Sequence, residues 1–415
     1  MKHFYSCLFI FNALFAFGQS SDTNMVDDVI LPVKQYPYLS AKVQYGALSN
    51  SLSAIELLNF VSQDFLDNDE KEELLESIPS SLRFGYIRSF SAGYQEPGYD
   101  IFGAYKKGWG INVRNTYYNS AKLSKDLLNL MFYGNKPYAG TTINIGDSKF
   151  ETWYFSSIDY NFDVLLDSIY PLQLTVSLHS GHDHNYYGVK MASIYTDPQG
   201  AYLDMDLDYK TRDKDGDVHP MAGIGASVGA AIELPIKEKG SLQLSVSDFG
   251  VMYWDKGNVL NADSTFRFEG VYFSDIFDLN DSLRDHASDE YKSAFYYSDS
   301  RSYYRLMPFK VSAAYTHKTD KYKWLPEVFI GANYRYLAGY YPQLRGGARI
   351  KTGRKQQLTA IATVGGYTWA GVDLGYDFQI GRDWKFALAI HNINGLVIPV
   401  TSGGAFGTIA VQYRL

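Results

Sequence analysis

The amino-acid sequence predicts an all-β protein, a transmembrane antiparallel β-barrel of about 14–16 strands with short helical insertions. Stretches of alternating apolar and polar residues recur through most of the 415 residues, and this period of two is typical of β-strands with two different faces. The last stretch, Ala405–Leu415, reaches the final residue, where an unpaired strand would promote aggregation unless it closed a barrel. Aromatic residues make up 16% of the chain, and Tyr suits both strands and the membrane–water interface.

The start of the chain predicts export. Lys2 and His3 precede an apolar stretch that extends to Phe17, and Ala16-Phe17-Gly18 has the small residues that a signal peptidase recognises. Residues 1–18 are therefore predicted to be a signal peptide. The expected location of the mature protein is the cell outer membrane.

Residues 19–415 are predicted to form one barrel domain, because no Pro/Gly-rich linker separates its parts. The single cysteine, Cys7, lies in the predicted signal peptide, so the mature chain is expected to have neither disulfides nor thiolate metal sites. No later stretch approaches the roughly 18 consecutive apolar residues of a membrane helix. The formal net charge of −7 argues against nucleic acid as a partner.

Alternation defines the predicted strands, of which Tyr38–Ala47 is the first. The others follow from Leu82 onwards: Leu82–Tyr94, Tyr99–Tyr105, Trp109–Tyr118, Glu151–Val164, Leu172–His179, Tyr186–Tyr195, Tyr202–Tyr209, Met221–Leu234, Ser241–Trp254, Phe309–His317, Glu327–Tyr336, Gln343–Ile350, Leu358–Val364, Ala370–Ile380, Trp384–His391 and the closing strand. Many of them have the roughly 9–11 residues that a tilted strand needs to cross a bilayer. A soluble β-sandwich also alternates, but its strands are shorter and fewer.

Helical spacing interrupts the strands in three places. Apolar residues recur every three or four positions near residues 53–76, 122–133 and 273–297, which predicts helical insertions at these sites. The first insertion includes the acidic stretch Asp67–Glu76. Helices within a barrel sequence belong to loops or plug the lumen.

Two segments of the sequence resemble an uncharacterised family of Bacteroidota outer-membrane barrels, a family with a domain of unknown function. The first runs from Lys125-Asp126-Leu127-Leu128-Asn129-Leu130 to Gly134-Asn135-Lys136-Pro137-Tyr138. The second consists of Tyr253-Trp254, Phe266-Arg267-Phe268-Glu269-Gly270 and Ser274-Asp275-Ile276-Phe277-Asp278. The resemblance implies the barrel fold and the outer-membrane location, and it implies no substrate.

Charged residues on the polar strand faces are the candidate lumen-facing residues, because a carboxylate among lipid chains would be costly. They are Asp159, Asp163, Asp204, Asp206, Asp208, Arg335, Asp373, Asp377 and Arg414. Such charges line a water-filled path in some barrels and form a closed network of ion pairs in others. The sequence leaves both alternatives open.

The densest group of potential metal ligands is His179, His182 and His184, which lie close enough in sequence to converge on one zinc ion. A polar turn without metal is the competing interpretation. Asp213–Asp217 departs from an EF-hand in the position of its glycine, so no cofactor is predicted. No G-x-S-x-G motif occurs, and no enzymatic activity is predicted.

The leading functional hypothesis is a channel or transporter for a small or amphipathic solute. The alternative is a non-conducting accessory subunit of an outer-membrane secretion or assembly complex, with outer-membrane or periplasmic protein partners. A soluble surface-binding β protein is the third hypothesis. In the first two hypotheses, the barrel is expected to contact outer-membrane lipid.

Overall fold

Fourteen antiparallel strands form a closed β-barrel in the computed structural model, which confirms the predicted fold class and strand number. The structure describes residues 36–53, 56, 68–97, 106–166, 170–214, 219–268, 299–319, 324–397 and 403–415. The predicted signal peptide, the predicted strand Tyr99–Tyr105 and the predicted helical insertion at 273–297 lie outside the described residues.

The described strands are β1 (Tyr38–Ser49), β2 (Ser81–Pro97), β3 (Lys106–Ser124), β4 (Thr142–Asn144), β5 (Ser148–Leu166), β6 (Tyr170–Thr196), β7 (Leu203–Lys214), β8 (Gly223–Ile236), β9 (Gly240–Phe268), β10 (Asp299–Leu306), β11 (Lys310–Lys318), β12 (Glu327–Arg335), β13 (Tyr341–Gly353), β14 (Gln356–Gly366), β15 (Ala370–Ile380), β16 (Trp384–His391) and β17 (Gly403–Arg414). The described helices are α1 (Asn68–Ser77), α2 (Lys125–Tyr133) and α3 (Asn394–Val397), and a 3-10 turn spans Lys136–Tyr138. All strands except β4, β7 and β10 belong to the barrel wall.

The barrel closes where the last strand meets the first. β1 pairs with β2 on one side and with β17 on the other, from Tyr38 opposite Arg414 to Ser49 opposite Gly403. Both edges of the terminal strands are therefore hydrogen-bonded, as the alternation of the closing strand predicts.

The two ends of the barrel differ. At one end, called the turn end, residues 237–239, 354–355 and 381–383 connect neighbouring strands, and β1 begins and β17 finishes. At the other, called the loop end, longer segments such as 50–80 and 125–147 connect the strands. The wall also extends here: β6 has 27 residues, β9 has 29, and β7 pairs with the outer portions of both.

Exposure along the strands is the reverse of that in a soluble protein. Leu178 and Ile330 on the outer face are each 66% exposed, whereas Ser177 and Asp159 on the inner face are 3% and 6% exposed. Polar residues thus face the lumen and apolar residues face outward, which is the pattern of a membrane barrel.

Helices α1 and α2 cover the outer face of the wall at the loop end. Leu74 and Leu75 of α1 and Leu128 of α2 pack in one buried cluster with Phe84 and Ala121 of the wall. No helix among the described residues is long and apolar enough to cross a membrane.

The beginning and end of α2 follow from local sequence. Ser124 Oγ accepts a hydrogen bond from the Leu127 N–H at 3.2 Å, and Gly134 ends the helix with a φ of 70°. The helix begins at Lys125, three residues later than predicted from the range 122–133, because residues 122–124 continue β3. Within the predicted insertion 53–76, the described residues contain α1.

Candidate lumen site

A buried ion pair lies on the inner faces of β3, β5 and β9. Arg114 donates to the two carboxylate oxygens of Asp248 at 2.9 and 2.5 Å, and its Nε lies 3.5 Å from an Asp159 oxygen. The Arg114 side chain is 4% exposed. Asp248 has a φ of 54° beside the register shift between Val228 and Ala230. This irregularity places a carboxylate opposite Arg114, as bulges often reorient a side chain.

The three histidines of the predicted metal site point in different directions. His179 contacts Ser157 Oγ through Nδ1 at 2.7 Å and Ser227 Oγ through Nε2 at 2.8 Å in the lumen. His182 contacts Ser156 Oγ at 2.8 Å, and Ser156 lies on the outer face beside Ile158. The described residues contain no group of three or more side chains able to hold a metal ion.

His184 belongs to a second buried cluster, closer to the loop end. Its Nδ1 lies 2.8 Å from the Tyr303 hydroxyl, and its Nε2 lies 3.6 Å from a Glu151 oxygen. Arg305 donates to the same Glu151 oxygen at 2.9 and 2.8 Å. The histidine therefore takes part in a carboxylate–guanidinium network.

An apolar cluster fills the lumen beside these charges. It contains Trp153, Phe155, Met252 and Trp254, none of which is more than 1% exposed. The side chains come from β5 and β9, on the same faces as the ionic groups. We call the lumen along the inner faces of β3, β5, β6, β8 and β9 the packed half.

The opposite part of the lumen is less filled. A cavity of about 140 Å³ lies along the inner faces of β1, β2 and β12–β17, and its lining includes Gln44, Arg335, Arg345 and Tyr340. We call this part of the lumen the open half. In the same half, the small residues Ala387, Ala389 and Ala410 are among the buried inner-face residues of β16 and β17.

Asp373 lies at the loop-end side of this cavity. One of its oxygens accepts a hydrogen bond from the Asn392 N–H at 2.8 Å, and the other lies 3.3 Å from His391 Nδ1. The Asn392 side chain donates to the carbonyl oxygens of Gly403 and Gly404 at 3.2 and 2.7 Å. These bonds hold Asn392 with its Oδ1 toward Gly371, whose missing Cβ would lie 2.9 Å from that oxygen.

Two predicted residues occupy the turn-end side of the lumen, and two others lie at the ends of the wall. Asp163 accepts hydrogen bonds from the Gln95 and Gln173 side chains at 2.8 and 3.0 Å. Asp377 alternates with the outward residues of β15, as Asp373 does. Arg335 hydrogen-bonds to the Tyr118 hydroxyl at the cavity. Arg414 places its guanidinium 3.2 Å from the ring centre of Tyr36.

The structure places Asp204, Asp206 and Asp208 beyond the fourteen-strand wall rather than in the lumen. They belong to β7, which pairs with the extensions of β6 and β9. Arg267 donates to both oxygens of Asp204 at 2.6 and 2.8 Å, and this hydrogen bonding holds the pKa of the carboxyl below its usual range. These carboxylates therefore face water past the loop end.

Several lumen residues are absent from the sequence-based candidates, namely Gln44, Arg114, Asp248 and Arg345. Arg114 and Arg345 occupy polar faces of alternating strands, so the signal that identified Arg335 also applies to them. Asp248 has no such signal, because the register shift breaks the alternation around it. The segment Asp213–Asp217, which departs from an EF-hand, lies partly outside the described residues.

Residues 168–368 match a family of unknown function (DUF5723). This range includes the second of the two sequence segments described above, which begins at Tyr253-Trp254. The match therefore supports the resemblance to an uncharacterised family. The Bacteroidota source of that family stays a prediction. No curated protein matches the sequence.

Among solved structures, the chain is similar to a Pseudomonas aeruginosa FadL homologue, at 8% identity and a TM-score of 0.44, over 92% of this chain and 90% of that chain. It is similar to the Ralstonia pickettii toluene transporter TbuX at 8% identity and a TM-score of 0.43, over the same shares of the two chains. The translocator domain of autotransporter NalP from Neisseria meningitidis matches at 9% identity and a TM-score of 0.32, over 94% of this chain and 92% of that chain.

Proposed function

We propose that this protein is an outer-membrane channel or transporter for a small or amphipathic solute, without enzymatic activity. Its outer face supports insertion in a membrane. Leu178, Val228, Ile330 and Leu344 are 66%, 53%, 66% and 61% exposed at positions where a soluble barrel would present polar residues. Lipid chains provide the surrounding that these side chains require.

Two rows of aromatic side chains bound this apolar surface. Tyr45, Tyr86, Tyr117 and Tyr154 lie on neighbouring strands, with successive ring centres 5.6, 5.8 and 6.1 Å apart. A second row, toward the turn end, includes Trp109 of β3, whose ring centre lies 5.6 Å from that of Tyr94 and 6.1 Å from that of Tyr160. Tyr117 and Trp109 are eight residues apart in β3, which corresponds to roughly 20 Å along the membrane normal for a strand with ordinary rise and tilt. These rows resemble the aromatic girdles of membrane barrels.

The connections support one orientation in the membrane. Bacterial barrels have short turns on the periplasmic side and longer loops outside the cell. We therefore assign the turn end to the periplasm and the loop end to the exterior. Helix α1, with its acidic residues, then faces the cell exterior rather than a periplasmic partner.

The cavity in the open half is the observation that carries the transport proposal. It lies inside the barrel, and its lining combines guanidinium, amide and phenol groups with apolar surface, including Arg345, Gln44, Tyr340 and Ile361. Concave sites of this mixed character are typical of small-molecule binding. A solute that enters the lumen would meet these groups.

Flux measurements test this proposal. Liposomes that contain the purified barrel are expected to take up small neutral solutes faster than empty liposomes, and planar bilayers are expected to show single-channel steps. Gly371→Leu adds a side chain whose Cβ would lie 2.9 Å from Asn392 Oδ1 and 3.1 Å from Thr363 Oγ1, two residues that line the cavity, and it is expected to reduce uptake at least tenfold. Val372→Leu is the matched control, because Val372 is 40% exposed on the outer face of the same strand. Folded barrel with neither uptake nor conductance would overturn the proposal.

The packed half favours a second function, a non-conducting accessory subunit of an outer-membrane complex. Trp153, Trp254 and the Arg114–Asp248 pair are buried side chains inside the lumen, where they oppose passage of a solute. Purification in mild detergent tests this alternative, for which a stoichiometric protein partner is expected. Recovery of the barrel alone, together with solute flux, would exclude it.

A further inference from the structure

We propose that the cavity of the open half binds a small, uncharged, polyhydroxylated molecule, through hydroxyl groups that donate to buried acceptors of the wall and accept from its guanidinium groups. The inference specifies the chemical class of the solute in the proposed function. It rests on the proposed function only for the idea that the bound molecule is also the transported one. Binding itself is independent of flux.

Buried acceptor atoms provide the first argument. Gln44 and Asn392 are 1% and 3% exposed, and within the described residues neither Gln44 Oε1 nor Asn392 Oδ1 has a hydrogen-bond partner. Both side chains line the cavity. Burial of a polar atom without a partner is unfavourable, so a ligand that supplies donors would gain from filling this space.

His391 adds a third acceptor. Its Nδ1 lies 3.3 Å from Asp373, and a proton on Nδ1 makes that contact a hydrogen bond. In the neutral ring that carries this proton, the other nitrogen, Nε2, is an acceptor, and among the described residues it has no partner. The ring of His391 stacks on Phe406 with 4.3 Å between the ring centres, which fixes its orientation beside the cavity.

The polar groups of the cavity disfavour simple cations and anions. Arg335 and Arg345 line it together with Asp373. Two guanidinium groups disfavour a cationic ligand, and the acceptor atoms of Gln44, Asn392 and His391 would face the oxygens of an anionic one. Hydroxyl groups satisfy both kinds of partner, because each one donates and accepts.

Size and aromatic surface limit the ligand further. The cavity volume is about 140 Å³, and an apolar protein cavity of about 150 Å³ is known to accommodate benzene. A molecule with one six-membered ring, or a shorter open chain, therefore fits. Tyr340 and Phe406 line the same cavity and add aromatic surface that the C–H groups of such a ligand can contact.

Calorimetric titration of the purified full-length barrel in detergent tests the inference. The probes are glycerol, xylose and myo-inositol, with acetate and methylammonium as anionic and cationic comparisons. We expect saturable binding of at least one polyol and none of either ion. Gln44→Leu is expected to weaken polyol binding at least tenfold, whereas Gln379→Leu, a substitution of an exposed residue near the turn end, leaves it unchanged.

The outcomes separate this inference from the transport proposal. Failure of every polyol to bind the heat-modifiable, folded barrel would overturn the inference and assign the cavity to ordered water only. Equal binding by wild type and Gln44→Leu would also overturn it. Polyol binding without flux in liposomes would support the inference and contradict transport. Flux without saturable polyol binding would support transport and contradict the inference.

Discussion

The two halves of the lumen use the same alternating strands and contain different side chains. In the packed half, the inner positions carry large residues such as Trp153, Phe155 and Trp254, together with the Arg114–Asp248 pair. In the open half, Ala387, Ala389 and Ala410 occupy inner positions, and a cavity remains. Two parts of one barrel can thus differ in open space, because the inner side chains fill the lumen to different extents.

The largest expected effect comes from breaking the packed half. Arg114→Leu removes the guanidinium group that Asp248 and Asp159 contact, and the two buried carboxylates then lack this counter-charge. We therefore expect the free energy of unfolding to fall by about 3–5 kcal/mol. Urea unfolding of the barrel in lipid vesicles, followed by tryptophan fluorescence, measures the change.

Arg88→Leu serves as the control for this substitution, because Arg88 lies on the outer face of β2 and is exposed. A loss of stability below about 1 kcal/mol in Arg114→Leu would mean that the pair occupies the lumen without stabilising it. The distinction between the two halves would then rest on packing alone.

A smaller effect is expected in the open half. Asp373→Asn preserves the shape of the side chain and removes the charge that Asn392 and His391 contact. Loss of one charge-assisted hydrogen bond predicts a decrease of about 1.5–3 kcal/mol in the free energy of unfolding. The same urea titration measures it, and a decrease larger than that of Arg114→Leu would contradict the ranking of the two halves.

The smallest effect is expected beyond the wall, at the exposed Arg267–Asp204 pair. Arg267→Gln removes the hydrogen bonds that lower the pKa of Asp204, so this pKa is expected to rise toward its ordinary value. Any stability from the pair is present above the unfolded-state pKa of Asp204 and is lost as the pH falls through the folded-state pKa. Carboxyl NMR titration measures the pKa shift, and the thermal midpoint at neutral pH should stay unchanged.

Strands with uninterrupted alternation were predictable to the residue. The structure places β15 at Ala370–Ile380 and β16 at Trp384–His391, the bounds that the sequence predicts. Each has one apolar and one polar face without a break, and only residues 381–383 separate the two strands. Local side-chain pattern is sufficient in such cases.

Strand β6 shows where this reasoning fails. The sequence predicts two strands, Leu172–His179 and Tyr186–Tyr195, and the structure has one strand from Tyr170 to Thr196. Register shifts opposite Tyr154/Phe155 and at Val189/Met191 add residues that reset the period of two. An added residue interrupts the alternation of apolar and polar residues, so the sequence pattern predicts that the strand ends there. In the structure, hydrogen bonding to the neighbouring strands continues past it.

The lumen site was predictable only in part. The faces of Asp159 and Asp373 follow from alternation along their own strands. The pairing of Arg114 with Asp248 joins residues 134 positions apart, and the position of β7 beyond the wall depends on which strands neighbour it. Such relations arise from the strand order around the barrel, which a single sequence pattern does not contain.

The seam between β1 and β17 has a kinetic consequence. Its pairs, from Tyr38 with Arg414 to Ser49 with Gly403, join the most distant described segments of the chain. Contacts of such large sequence separation carry the highest loop-closure entropy and slow folding. The seam is therefore expected to form late, after neighbouring hairpins have assembled, and until then two unpaired strand edges are available to a folding catalyst or to aggregation.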